Sequence, residues 1–292
     1  MAHAVIEQPE LSALDAVVTP RPWLAAGTLC QREWVRFVRQ RNRVFGAIGQ
    51  PLIFWLLFGL GLGPTFRLAG QGAEQVSYRE YFFPGSLVLI LLFTAIFATI
   101  SIIEDRREGF LQSVLVAPIP RWSMVLGKVA GGSLLALVQG LIFLALGMTL
   151  GVHFSVVSLA LIVLLLAVIS LALVSLGFVI AWRMDSTQGF HAVMSVFLLP
   201  MWLLSGAFFP APPRGATMGW AEWALAAVIA INPLTYGVAA LRRLMYLGVD
   251  PAPLPDGTPS LAISWLVTLG FAVVMFALAW QTARQRTTGD LL

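Results

Sequence analysis

Charge is what this sequence lacks. Of its 292 residues only 11% are charged and 59% are hydrophobic, whereas a soluble domain carries about 25% charged residues. The mean hydropathy is +0.86. So much uncharged surface cannot face water, which excludes a soluble enzyme. The net charge of +4 is read here as loop charge beside membrane spans rather than as a nucleic-acid footprint, and no nucleic-acid partner is expected. A single cysteine, Cys30, excludes an internal disulfide. The three histidines, His3, His153 and His191, have no metal-ligand spacing. One lysine, Lys128, follows Gly127, but Val129 comes next and Trp122 stands where GxxxxGK[ST] needs its first glycine. A phosphate-binding loop of that kind is therefore absent. No catalytic triad or carboxylate pair is visible, so the chain is not read as an enzyme.

What is present is a series of apolar runs of membrane length. The expected fold is all-α and polytopic, with six spans near residues 45–63, 82–103, 125–150, 156–182, 190–209 and 261–280. Pro51 is placed near the start of the first span, where a helix has no partner for its N–H groups. Only His191 comes close to lying within a span, so the intramembrane acids or histidine relay of an ion-coupled carrier are not evident. Residues 1–22 lack the apolar stretch of a cleavable signal and are read as a flexible cytoplasmic tail.

Before the first span, Arg32, Arg36, Arg39 and Arg43 recur at i, i+4, i+7 and i+11, one face of a helix. Residues 23–43 are expected to form an interfacial helix lying along membrane lipid. Residues 210–248 hold an apolar run too short to span, interrupted by Asn232 and Pro233. With Pro210 and Tyr236 they are read as a re-entrant helical hairpin. Inside segments would carry 13 of the 18 basic residues if both termini are cytoplasmic. Arg242 and Arg243 are the discordant pair.

The densest charge cluster lies between the second and third spans, in an elbow over 104–124. Glu104, Asp105, Arg106, Arg107 and Glu108 are followed by Gly109, Phe110, Leu111 and Gln112. Such an insert cannot lie in hydrocarbon and is expected to project into water. Arg106 and Arg107 are expected to neutralise the acids beside them. A helix over 104–112, rooted in two spans, is stiff enough to carry force from a docked protein.

The elbow EDRREGFLQSVLVAPIPRWSMVLGK, the first-span run QPLIFWLLFGLGLG, LLPMWLLSGAFFP and INPLTYGVAALR together carry a resemblance. Over nearly all residues after about 23, the chain resembles the membrane permease of a type-2 ABC exporter, the family of nodulation-factor, polysaccharide and daunorubicin-type drug export permeases. Phe110 stands where that family typically has threonine. The resemblance implies that residues 44–292 are the transmembrane domain of an efflux permease in the cell inner membrane. It implies a permease homodimer and two copies of a separate ATPase subunit, which binds the ATP and Mg, so that no cofactor is expected in this chain. It also makes 104–112 the coupling helix and 23–43 a connecting helix, with the substrate path between two permeases. Apolar, aromatic-rich spans suit an amphipathic cargo such as a drug, a lipid or a lipid-linked saccharide. The small-residue stretches Gly59–Gly63 and Gly131–Gly132 are hints of helix packing. A secondary carrier and a non-transport membrane assembly protein stand as the other two classes.

Overall fold

The computed structural model describes residues 21–63, 76–147, 155–210, 219–249 and 252–285. The tail expected over 1–22 lies almost wholly outside the described residues. Ten α-helices follow in chain order and no strand occurs among the described residues: α1 (Pro22–Arg39), α2 (Arg41–Gly61), α3 (Tyr78–Arg107), α4 (Phe110–Val116), α5 (Arg121–Gly147), α6 (Val156–Trp182), α7 (Thr187–Trp202), α8 (Trp220–Ile231), α9 (Pro233–Met245) and α10 (Leu261–Arg284). Side-chain oxygens of Ser77, Ser155, Ser186, Asn232 and Ser260 cap five of the N-termini, satisfying N–H groups that the first turn leaves open.

Among the described residues, six helices are long and apolar enough to cross a membrane: α2, α3, α5, α6, α7 with the π-helical turn that follows it, and α10. The α8–α9 pair bends by 75°, as the Asn232–Pro233 interruption demands of a run too short to cross unbroken. A bent helix pair thus stands between the fifth and sixth spans, where the hairpin is expected; residues 211–218 of that stretch lie outside the described residues.

α3 is the centre of the bundle. It packs against α2, α5, α6 and α7 and is buried along nearly its whole length, whereas α2 and α10 present mostly exposed apolar faces. Its 30 residues reach about 45 Å, longer than the ~30 Å hydrocarbon slab.

Several expected boundaries shift. The interfacial helix ends at Arg39, and Gln40 separates it from α2, which starts at Arg41. Pro51 consequently lies ten residues inside α2 and removes an interior hydrogen bond rather than sitting at a harmless first turn. The second span continues through Arg107, so the first four elbow charges belong to a membrane-crossing helix.

The small residues are also engaged inside the protomer. A Cβ on Gly59 would meet the Arg79 side chain, one on Gly63 its own helix at Gly59, and one on Gly132 the side chains of Val174 and Ala98. Gly127 and Gly131 let α1 lie directly on α5. A Cβ at Gly127 would stand 2.7 Å from the Ala26 carbonyl oxygen, and one at Gly131 would stand 3.1 Å from that of Cys30. Gly59, Gly63, Gly131 and Gly132 thus pack within the protomer, whereas Gly61, between the first two, has open space around it.

Gly127→Leu is expected to destabilise the protein by about 1–3 kcal/mol through overpacking and to expose α1 to proteolysis. Gly27→Ala, with open space around it, should instead stabilise by up to about 1 kcal/mol. Thermal unfolding in detergent with limited proteolysis distinguishes the two outcomes.

Candidate coupling site

The last turn of α3 carries a carboxylate buried completely: Asp105 is 0% exposed. Taking a carboxylate out of water costs several kcal/mol unless cations and hydrogen bonds replace the solvent. Three cations do so. Arg32 of α1 grips it with two bonds, Nη1 to Oδ2 at 3.0 Å and Nη2 to Oδ1 at 2.6 Å. Arg36, one turn further along α1, donates to Oδ1. Lys128 of α5 donates to Oδ2.

Lys128 also donates to Glu33 at 2.8 Å. Both are nearly inaccessible, at 2% and 5% side-chain exposure. Arg36 reaches Glu104 at 2.9 Å and Glu108 at 3.2 Å, and Arg43 at the start of α2 closes on Glu104. Arg32, Arg36, Arg43 and Lys128 thus face Glu33, Glu104, Asp105 and Glu108, and the charges balance. Burial works to lower the Arg36 pKa, but the carboxylates of Asp105, Glu104 and Glu108 outweigh it and hold the guanidinium above its ordinary value.

This arrangement corrects two expectations. The acids are neutralised by α1, α2 and α5, not by their neighbours Arg106 and Arg107. Those two brace the opposite side: Arg106 donates to the carbonyls of Trp182 at 2.5 Å and Met184 at 3.3 Å, and Arg107 to that of Asp185 at 3.0 Å. Nor is the basic face of α1 turned wholly to lipid. Arg32 and Arg36 point into the chain, Arg43 reaches Glu104 from α2, and Arg39 is the member of the series left exposed.

The chain then turns through Gly109, whose φ of 76° lies in the left-handed region that favours glycine. The single helix expected over 104–112 is accordingly two pieces, the end of α3 and the seven-residue α4. Leu111 anchors α4 with no exposed surface, and the Arg32 guanidinium lies 3.7 Å over the Phe110 ring. Gln112 is half-buried, whereas Ser113, Val116 and Pro118 face outward beside Arg107 and Glu108. Val116 is 79% exposed.

With known protein families, residues 25–246 match the ABC-2 type transporter family. The chain belongs to that family. Among curated relatives of this ABC-2 permease, it is 27% identical over 223 residues to a putative transport permease of Cyanophora paradoxa, covering 74% of this chain and 72% of the relative. It is 25% identical over 263 residues to the inner membrane transport permease YadH of Escherichia coli, covering 88% and 94%. It is 24% identical over 241 residues to a probable doxorubicin resistance ABC transporter permease protein of Mycobacterium tuberculosis, covering 78% and 80%.

Sequence reasoning missed Lys128 and Glu33 as members of this cluster, and with them the fact that a membrane-crossing helix of the permease carries a buried cation. The signal was available. Lys128 is the only lysine and sits at the start of an apolar run; Glu33 is the only acid in α1. An isolated charge in such a setting requires a partner. His191 is exposed on α7, beside the Phe97 ring.

The expected hairpin residues are structural. Asn232 caps α9 through the Leu234 N–H and donates to the Met201 carbonyl at 2.5 Å. Pro233 fills the first position of α9, and the Tyr236 hydroxyl donates to the Ala230 carbonyl at 2.8 Å. Pro210 is exposed just past the π-helical turn.

Lys128→Met is expected to destabilise by about 3–5 kcal/mol, because it strands buried carboxylates. Adding Glu33→Gln should recover part of that loss. Glu108→Gln, at a carboxylate 59% exposed, should cost no more than about 1 kcal/mol. Chemical or thermal unfolding of the purified permease checks all three.

Proposed function

We propose that this ABC-2 permease is the membrane subunit of an ATP-driven exporter, with α4 as the element on which a separate ATPase subunit acts. The observation that carries the reading is mechanical. α4 hangs from Gly109 at the end of α3, leads directly into α5, and is tied to α1 through Phe110 and Arg32. A displacement of α4 therefore moves two membrane-crossing helices and the helix along the interface together.

The docking face in this reading is Arg107, Glu108, Ser113, Val116 and Pro118, with Gln112 beside it, while Glu104 and Asp105 serve behind it as anchors. Two ATPase copies, binding ATP and Mg, serve a pair of permeases, whose shared interface holds the substrate path. The bias of basic residues toward the α1–α4 end supports cytoplasmic termini in the cell inner membrane. The cargo is an amphipath moved outward. The drug-resistance name of the mycobacterial relative and the apolar, aromatic-rich helices support a drug-like or lipid-like molecule.

Val116→Asp places a charge on the exposed face of α4 without touching the buried ion cluster. It is expected to leave the unfolding temperature of the permease unchanged while lowering co-purified ATPase and substrate-stimulated hydrolysis about tenfold, the loss of one interface anchor. Wild-type coupling in that variant, at wild-type abundance, would rule α4 out as the docking element.

A further inference from the structure

The opposite end of the bundle contains a buried arginine that the coupling reading does not use. α7 runs into a π-helical turn, Leu203–Ala207, in which Gly206 takes φ 73°. The break frees backbone carbonyls inside the protein. Arg242 of α9, only 7% exposed, answers with one nitrogen: Nη2 donates to the Gly206 carbonyl at 2.7 Å and to that of Tyr81 at 3.3 Å. Its guanidinium lies 4.1 Å over the Tyr81 ring.

Nε is buried without a hydrogen-bond partner, and no carboxylate forms an ion pair with Arg242 among the described residues. A buried cation satisfied by carbonyls at one nitrogen alone is costly.

This arginine lines a cavity of about 370 Å³ enclosed by α8, α9, the π-helical turn and the loop before α10, within the size range of small-molecule sites. The other polar groups there have spent their protons. Ser205 donates to the Trp202 carbonyl, Thr235 to that of Ile229, Tyr236 to that of Ala230, and Thr258 to that of Pro255. Arg242, with its Nε unpaired, is thus the cation of the lining. Ala226, Ile229 and Ala239 add an apolar side to the wall.

We infer that this cavity binds the oxyanion headgroup of an amphipathic molecule, a phosphate or carboxylate, held by Arg242 with its apolar part against α8 and α9. The exposed carboxylate of Asp256 lines the same cavity and repels such a headgroup. The site belongs to the permease alone and does not depend on the coupling reading.

The test uses the intact permease in phosphatidylcholine nanodiscs without ATPase, titrated calorimetrically with hexyl phosphate, hexanol and inorganic phosphate, with empty nanodiscs as reference. Hexyl phosphate is expected to bind saturably, hexanol not at all, and inorganic phosphate at least about tenfold more weakly. Arg242→Gln should weaken hexyl phosphate about tenfold or more, the loss of a charge-assisted hydrogen bond. Ala230→Phe fills the cavity without touching Arg242 and should abolish binding even if Arg242→Gln fails to fold. Asp256→Asn should tighten it about twofold or more.

The inference is overturned if hexyl phosphate shows no saturable binding above empty nanodiscs, or if folded Ala230→Phe binds as the wild type does. Equal affinity for inorganic phosphate and hexyl phosphate would make this an anion site and overturn the amphipathic assignment.

Discussion

The burial of one carboxylate governs the layout of the charged end of this protein. Asp105, at 0% exposure, cannot stay ionised unless helices other than its own deliver cations to it. α1 and α5 deliver them, and this fixes where α1 must lie. α1 is held because Gly127 and Gly131 allow its backbone to touch α5, which brings Arg32, Glu33 and Arg36 within reach of Asp105 and Lys128. Remove the close approach and the ion cluster opens; remove the cluster and the approach loses its purpose. Each contact presupposes the other.

The two ends of α3 solve the same problem by different means. At the α1 end, four carboxylates meet four cations and the cluster is neutral. At the Tyr78 end the burden comes from a broken helix, whose freed carbonyls are met by hydroxyl and guanidinium donors: Tyr78 on Phe208, Tyr81 and Arg242 on Gly206. This also accounts for the basic pair that fits the charge distribution poorly. Arg242 caps the π-helical turn, and Arg243 donates to the carbonyls of Thr258 and Pro259. Both donate to backbone oxygens and say little about which side of the membrane they face.

Much of the fold was legible because hydrocarbon imposes a simple rule on composition. Runs of about 20 apolar residues can scarcely be anything but crossing helices, and Asn232–Pro233 marked the hairpin plainly. The spacing of Arg32, Arg36, Arg39 and Arg43 identified a shared face, but spacing says which residues travel together and not what they meet. That face meets Glu104 and Asp105, distant in sequence, and no local pattern reveals it. The break at Gln40 was illegible for a related reason, since neither proline nor glycine marks it and the helix on either side is a good former. The extension of α3 through its charges was hidden too. A charged run ends a span only when its charges go unpaired, and here partners from α1 and α5 let the helix continue.

In the proposed coupling, helix length constrains how force would pass through the elbow. Seven residues cannot sustain a helix in water, because nucleation costs more than so few hydrogen bonds return. α4 therefore borrows its order from Leu111 beneath it and from the Arg32–Phe110 contact beside it. An isolated turn with those supports removed would melt under load and transmit nothing. With them in place, a push on α4 is resisted at once by α3, whose last turn is bolted to α1 by Asp105 and to the α6–α7 turn by Arg106 and Arg107. In the proposed coupling, the stiffness thus resides in the buried charges behind α4, and the helix itself need only present a face.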